Sequence, residues 1–417
     1  MEGTLALPDE RLHALRRRTV WSLVAGVALG STGHIAAVTV SAIVAESLGG
    51  STIWSGVPGA AVVLGAAAGA IVLANLMVRR GRRFGLSLGY AISVLGAIIA
   101  TIAIVGGSLP GLLVGTVLIG FGNASNQLSR YTAADLYPEH RRASAIGLVV
   151  WGATVGAVVG PNLVAPAGDF AMSIGLPELA GPYLVPVIFV GAAAILSFAL
   201  LRPDPYQLAD TTSHEDLAAT HGSTAASLAS VLRRPHVSVA VVALVVGQIV
   251  MTLIMTMTPI HMTMHGHGLG DVGIVISGHT FGMFGLSPIS GRLTDRFGSP
   301  PVIFAGLATI AGASVLAAVA PPEGGVLLFI ALFLLGYGWN LGYVAGSALL
   351  TTGLGLAERT RLQGFTDALI WSSAAAASLT SGIVLATAGY ATLGLVGAAM
   401  VIVPAWLILS RRAALSS

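Results

Sequence analysis

The sequence predicts an all-α integral membrane protein with twelve transmembrane helices in two pseudo-symmetric six-helix halves. Three observations predict it. Of 417 residues, 55% are hydrophobic and 9% charged, with a mean hydropathy of +0.87, whereas a soluble domain carries about 25% charged residues. Twelve apolar runs of spanning length, about 20 residues each, follow one another along the chain. All 20 basic residues are arginine, and they sort to one side of those runs. Such a composition excludes a soluble, disordered, collagenous or disulfide-scaffolded protein. There is no cysteine, so thiolate metal sites are excluded as well. A net charge of +3 and a pI near 9.5 would suggest nucleic acid in a soluble chain. Here the arginines follow membrane topology, so the expected partner is the lipid bilayer and no nucleic acid.

The elements follow in order. Run 20–46 is too long for a cleavable signal peptide and opens a series, so it is span 1. His34 lies near its middle, a candidate cavity ligand or proton carrier because an intramembrane ionisable group is rarely idle. Span 2 (52–77) ends on Arg79-Arg80-Gly81-Arg82-Arg83, and span 3 covers 84–106. Span 4 (110–134) carries Asn123, Asn126 and Gln127, which interhelical hydrogen bonds explain unless they line a pathway. Span 5 (143–166) contains Gly147, Gly156 and Gly160-Pro161, and span 6 covers 183–201. The polar stretch 202–236, with Pro203, Pro205, Pro235 and the acidic run Asp210–Asp216, separates half 1–201 from half 237–417 as a cytoplasmic linker. Spans 7 to 12 are expected at 237–262, 270–290, 300–319, 325–349, 362–386 and 391–410.

The halves repeat weakly. Gly120-Phe-Gly-Asn123 in span 4 parallels Gly336-Tyr-Gly-Trp-Asn340 in span 10. Glu139-x-x-Arg142 parallels Glu358-x-x-Arg361. Asp367, near the inner end of span 11, is a candidate proton coupler or a gate residue paired with Arg359 or Arg361. Trp151, Trp339 and Trp371 are interface anchors or cavity walls. Every arginine, Arg130 included, falls on the side of the N-terminus, the even-numbered loops and the C-terminus. The positive-inside rule makes that side cytoplasmic, with both termini there. Glu46, Asp169, Glu178, Asp271 and Glu323 occupy the other side, a surface that attracts cations.

Gly291-Arg-Leu-Thr-Asp295-Arg296-Phe-Gly298, after span 8, resembles the signature loop of the major facilitator superfamily. The resemblance implies the major facilitator fold. It also implies that Asp295 sits at a helix N-terminus, where the helix dipole favours an anion, and helps hold the inner gate closed. The first-half copy is degenerate, with Val78 at the Asp position. Gating there is expected to rest on Glu139 with Arg79 or Arg142. The span 5 glycines are similar to the superfamily's antiporter motif, and close helix packing is the alternative.

Spans 7 and 8 carry the substrate clue. Residues 251–283 hold six of ten Met and four of ten His. Met251-x-x-x-Met255 and His279-x-x-x-Met283 each place two soft donors on one helix face. At 1.5 Å per residue, Met255 and Met251 lie about 10 and 16 Å below the outer end, and His279 and Met283 about 15 and 21 Å. Thioethers select Cu(I), and imidazole binds copper in both states. His261, Met262, Met264, His265 and His267 form a strip at the outer mouth, where an ion is captured. The paired motifs resemble those of the CcoA-type copper importers. That resemblance implies copper uptake for assembly of cbb3-type cytochrome oxidase, with Met251, Met255, His279 and Met283 as transport ligands.

The expected function is therefore a monomeric secondary transporter importing copper across the cytoplasmic membrane. It has no enzymatic activity and no cofactor, and its partners are periplasmic or cytoplasmic copper carriers. Two alternatives compete: a proton-coupled exporter of small lipophilic compounds, and a membrane copper sensor without flux.

Overall fold

The computed structural model describes residues 9–51, 54, 56–208, 228–267, 269–321 and 325–411. The linker positions 209–227, with the run Asp210–Asp216, lie outside the described residues, as do Glu323 and Arg412. The described chain is helical throughout. Span 1 is α1 (Asp9–Gly49), followed by α2 (Val57–Arg80), α3 (Arg82–Val105) and α4 (Leu109–Ala134). Span 5 is α5 (Arg142–Asn162) continued by α6 (Val164–Ser173), and span 6 is α7 (Gly181–Leu200). A short α8 (Leu228–Leu232) precedes α9 (Pro235–Met264), which is span 7. Span 8 is split into α10 (Leu269–Phe284) and α11 (Ser287–Phe297). Spans 9, 10 and 11 are α12 (Ser299–Val319), α13 (Gly325–Leu349) and α14 (Leu356–Ala388). The last span is α15 (Tyr390–Met400) with α16 (Ile402–Ser410).

Eleven helices, some of them joined across a short break, are long and apolar enough to cross a membrane. The remaining long helix is α4, with 26 residues. Its second half holds Asn123, Asn126, Gln127 and Arg130, which lower its hydropathy. Those groups are buried or half-buried, so neighbouring helices shield them.

Three spans break where continuous helices are expected, and one rule accounts for all three. Helices α5, α10 and α15 end at Asn162, Phe284 and Met400. Each end lies four residues before a proline: Pro166, Pro288 and Pro404. Proline cannot donate to the carbonyl four residues back, and its ring crowds that carbonyl. The turns after spans 2 and 8 also share a device. Gly81 at φ 90° joins α2 to α3 and Gly298 at φ 83° joins α11 to α12, a backbone region that glycine enters without steric penalty.

Contacts repeat with a period of six spans. α3 lies against α4 as α12 lies against α13, and α2 meets α4 as α10 meets α13. The closest of these contacts are backbone to backbone. A Cβ on Gly115 would lie 2.6 Å from the Gly96 carbonyl, and one on Gly306 2.7 Å from that of Gly338, the small-residue contact that lets membrane helices approach. The first six spans meet the last six chiefly through α2 with α14 and α5 with α11.

Candidate functional site

A cavity of about 620 Å³ lies between the first six spans and the last six. At the arginine-free end it reaches Gly56, Gly59 and Ala60 of the α2 start, and Ser378 and Leu379 of α14. Toward the arginine-bearing side it reaches Gln127, Tyr343 and Asp367. One wall is aromatic. Trp339 and Tyr343 stack with centroids 4.4 Å apart, Phe284 meets Trp339 edge-on at 6.1 Å, and Trp371 lines the same space. They come together because Trp339 and Tyr343 are four residues apart on α13 and so share a face. The Trp339 indole donates to Gln248 Oε1 at 3.0 Å, which fixes the ring. A side chamber of about 190 Å³ shares His34, Asn123, Gln127, Phe284, Tyr343 and Trp371, and adds Asn126 and Arg130. The whole is an aromatic lobe joined to a smaller polar one.

An ion pair sits at the base. Arg130 Nη2 lies 2.5 Å from Asp367 Oδ1, with both side chains almost fully buried. Arg130 also lies over the rings of Tyr131 and Tyr343, at 4.1 and 4.4 Å, and donates to Ser347 and to Gln127. Tyr343 donates to Gln127 Oε1. Asp367 Oδ2 is buried without a hydrogen-bond partner. This corrects two expectations. Asp367 pairs with neither Arg359 nor Arg361; its partner is in span 4. Arg130 is not a loop arginine, since it lies inside α4 at 1% exposure, where its charge serves the pair.

Below the base, the arginine-bearing side is closed by a second cluster. Asp135 takes Arg82 at 2.7 Å and Arg359 at 2.8 Å, and Arg82 also donates to Gln363 at 2.9 Å. The expected pairing of Glu139 with Arg79 or Arg142 is not among the described ion pairs. Glu139 is exposed, and Arg142 donates instead to the carbonyls of Tyr137 and Thr351. The acid paired with the arginines after span 2 is thus Asp135, at the end of span 4. The second-half loop reaches the start of span 5. Asp295 accepts from the amides of Ala143 and Ser144 at 3.1 and 3.0 Å, at the N-terminus of α5. A Cβ on Gly291 would lie 2.6 Å from the Ala143 carbonyl. Arg296 and Gly298 are exposed, Glu358 lies 4.0 Å from Arg234, and Arg361 is exposed. The span 5 glycines pack: Gly147 faces Ser287, while Gly156 and Gly160 face span 1.

Of the four expected copper ligands, three line the cavity: Met251, Met255 and Met283. His279 does not. It is fully buried, its Nδ1 lies 2.7 Å from the Leu332 carbonyl of α13, and its Nε2 has no partner. The ring therefore faces span 10. His34 lines the cavity. The outer strip divides. Met262 is buried and Met264 is exposed. His261 stacks on Tyr390 at 4.2 Å and lies 4.4 Å from His265, while His267 lies 4.0 Å from Asp271. Among the described residues no three His, Asp or Glu form a metal-binding group. Asn340 ties span 8 to span 10 through Met283 O, Ser287 and Ser290.

Arg82, Asp135, Gln363 and Gln248 escaped the sequence reading. The available signal was charge or amide within or beside an apolar run, which is expensive unless paired.

The family model described as Major Facilitator Superfamily matches residues 20–379. The Uncharacterized MFS-type transporter YdeG of Bacillus subtilis (strain 168) is 38% identical over 388 residues, covering 93% of this chain and 90% of that protein. The Riboflavin transporter RfnT of Brucella anthropi is 30% identical over 386 residues, covering 90% and 91%. The solved proton:xylose symporter XylE superposes with a TM-score of 0.76 at 14% identity, covering 95% of this chain and 96% of that one.

Proposed function

The chain belongs to the Major Facilitator Superfamily, and from that premise we propose that this secondary transporter carries a small, planar, largely apolar organic molecule by alternating access. The two sets of six spans rock as halves about the central cavity. The arginine-bearing side is cytoplasmic by the positive-inside rule, so the conformation described opens outward. The observation that carries the reading is the cavity itself. Sites for organic ligands are about 300–1,000 Å³, mostly apolar and aromatic, with a few placed polar groups. A space of about 620 Å³ with Trp339, Tyr343, Phe284 and Trp371 on one wall and Gln248, Gln127 and His34 at its edges fits that description. RfnT, a relative named for riboflavin, supports a flat aromatic cargo with a hydrogen-bonding rim.

Opening to the cytoplasm separates α4 from α14 and parts Arg130 from Asp367. A carboxylate left unpaired inside a membrane is costly, so Asp367 takes a proton as the pair opens. The coupling ion is accordingly a proton.

A second reading keeps copper as the cargo. It is favoured by one observation, that the Met251, Met255 and Met283 side chains line the same cavity, and thioethers are Cu(I) ligands. His279 would first have to leave the Leu332 carbonyl.

Uptake into proteoliposomes by the wild type, Trp339→Ala and Met255→Ala separates the readings. Aromatic stacking adds about 0.5–1.5 kcal/mol beyond buried area, so Trp339→Ala lowers apparent affinity for a flavin-like solute roughly tenfold. Met255→Ala changes it little. Saturable copper flux that falls with Met255→Ala and is unchanged by Trp339→Ala would replace the organic reading with the metal one.

A further inference from the structure

We propose that a pocket at the arginine-bearing ends of spans 1, 5 and 8 binds the phosphate headgroup of an anionic phospholipid, and that this lipid holds the cytoplasmic side closed. The pocket has a volume of about 500 Å³ and is lined by His140, Arg141, Arg292 and Arg296, with Tyr137 and Leu148 among its other walls. Its acidic lining residue, Asp295, has both carboxylate oxygens engaged by the Ala143 and Ser144 amides. Arg141 and Arg292 are exposed and form no ion pair among the described residues. Arg296 lies over the Phe297 ring at 5.2 Å. Burial raises the Tyr137 phenol above its usual value, while the charges of Arg16 and Arg141 pull it down, so a fourth arginine is close by. Three guanidinium groups thus line one concavity, and the carboxylate that lines it with them is held by two backbone amides.

The apolar share of the lining explains why the phosphate would belong to a lipid. Ile289, Arg292 and Arg296 are spaced three and four residues apart on α11 and so share a face, with Ile289 46% exposed. Arg141 ends the 3-10 turn ahead of α5, and Ala145 and Leu148 of α5 line the same pocket with Val20 of α1. Guanidinium groups beside these apolar walls fit a headgroup phosphate with the start of an acyl chain. Basic pockets between helices on the cytoplasmic side recognise anionic headgroups, and guanidinium pairs phosphate through two parallel hydrogen bonds.

Arg141 belongs to the first six spans and Arg292 and Arg296 to the last six. A phosphate between them bridges the α5–α11 contact that parts when the cytoplasmic side opens. A ligand that binds one state alone stabilises it by mass action, so the lipid favours the outward-open state. The lipid's effect rests on the proposed alternating access but on no particular cargo.

The chain lacks cysteine, so a single reporter thiol at Ser378→Cys, on the cavity wall, reads that state by maleimide labelling. The full-length reporter is compared in nanodiscs of phosphatidylcholine, with and without phosphatidylglycerol. Phosphatidylglycerol is expected to raise the labelling rate several-fold. Inorganic phosphate added to phosphatidylcholine discs should leave it unchanged. In Arg141→Gln/Arg292→Gln, two exposed positions whose loss leaves the core intact, the lipid effect should vanish while the rate in phosphatidylcholine stays the same. Equal rates with and without phosphatidylglycerol overturn the proposal. So does a lipid effect that survives the double substitution. An equal response to inorganic phosphate overturns the lipid as the ligand.

Discussion

Asp367 and Arg130 bear most on mechanism, because each is nearly buried and each is the other's main partner. Removing one member of a buried pair strands the other and typically costs about 3–5 kcal/mol. Asp367→Asn is therefore expected to lower thermal stability by that order and to abolish proton-driven uptake, while Arg130→Gln/Asp367→Asn regains part of the stability without uptake. A stability unchanged in Asp367→Asn would contradict the pair. His279 is the opposite case. Its contact with Leu332 makes it a packing residue, so His279→Ala should destabilise by about 1–3 kcal/mol and leave cargo affinity unchanged in a binding titration. Its misplacement in the sequence reading has a simple source. Spacing of i and i+4 puts His279 and Met283 on one side of a helix but does not say which neighbour that side meets. Met283 reaches the cavity and His279 reaches α13. Likewise, Arg130 looked topogenic because a lone arginine near a helix end reads the same whether it faces water or a buried acid.

At the scale of elements, span positions were legible because apolar runs of about 20 residues have one membrane solution. The three helix breaks were not legible: each lies four residues before Pro166, Pro288 or Pro404, but Pro161, Pro186 and Pro259 lie inside helices without ending them. The meeting of α5 and α11 was partly legible. The Gly291–Gly298 loop resembled a gate, and Asp295 does sit at the α5 N-terminus. A charge at a helix N-terminus contributes about 0.3–1 kcal/mol, up to ~2 when partly buried. Asp295→Asn should therefore shift the reporter thiol toward slower labelling by roughly two- to fivefold, and by up to about thirtyfold at the upper figure. Gly291→Val should shift it further, since its side chain meets the Ala143 carbonyl. Labelling unchanged in both variants would show that this contact does not set the closed state. The first-half gate was not legible, because Arg82, Asp135, Arg359 and Gln363 come from three separated segments.

The whole molecule combines a repeated six-span contact pattern with one central cavity. Composition and arginine order made the membrane fold readable, since few charges remain and most of them mark the loops. Cargo was less readable. Clustered Met and His suggested soft-metal chemistry, whereas the cavity brings three of the six clustered Met beside four aromatic rings and two glutamines. Volume and lining can be known only after helices from both halves are assembled. Proteoliposome uptake of riboflavin and copper(I), side by side, on wild type and Trp339→Ala under an imposed pH gradient decides the cargo. Saturable, gradient-dependent riboflavin uptake is expected, with an apparent affinity that falls roughly tenfold in Trp339→Ala and no saturable copper flux. Saturable copper uptake that riboflavin does not compete with, unaltered by loss of Trp339, would refute the organic cargo.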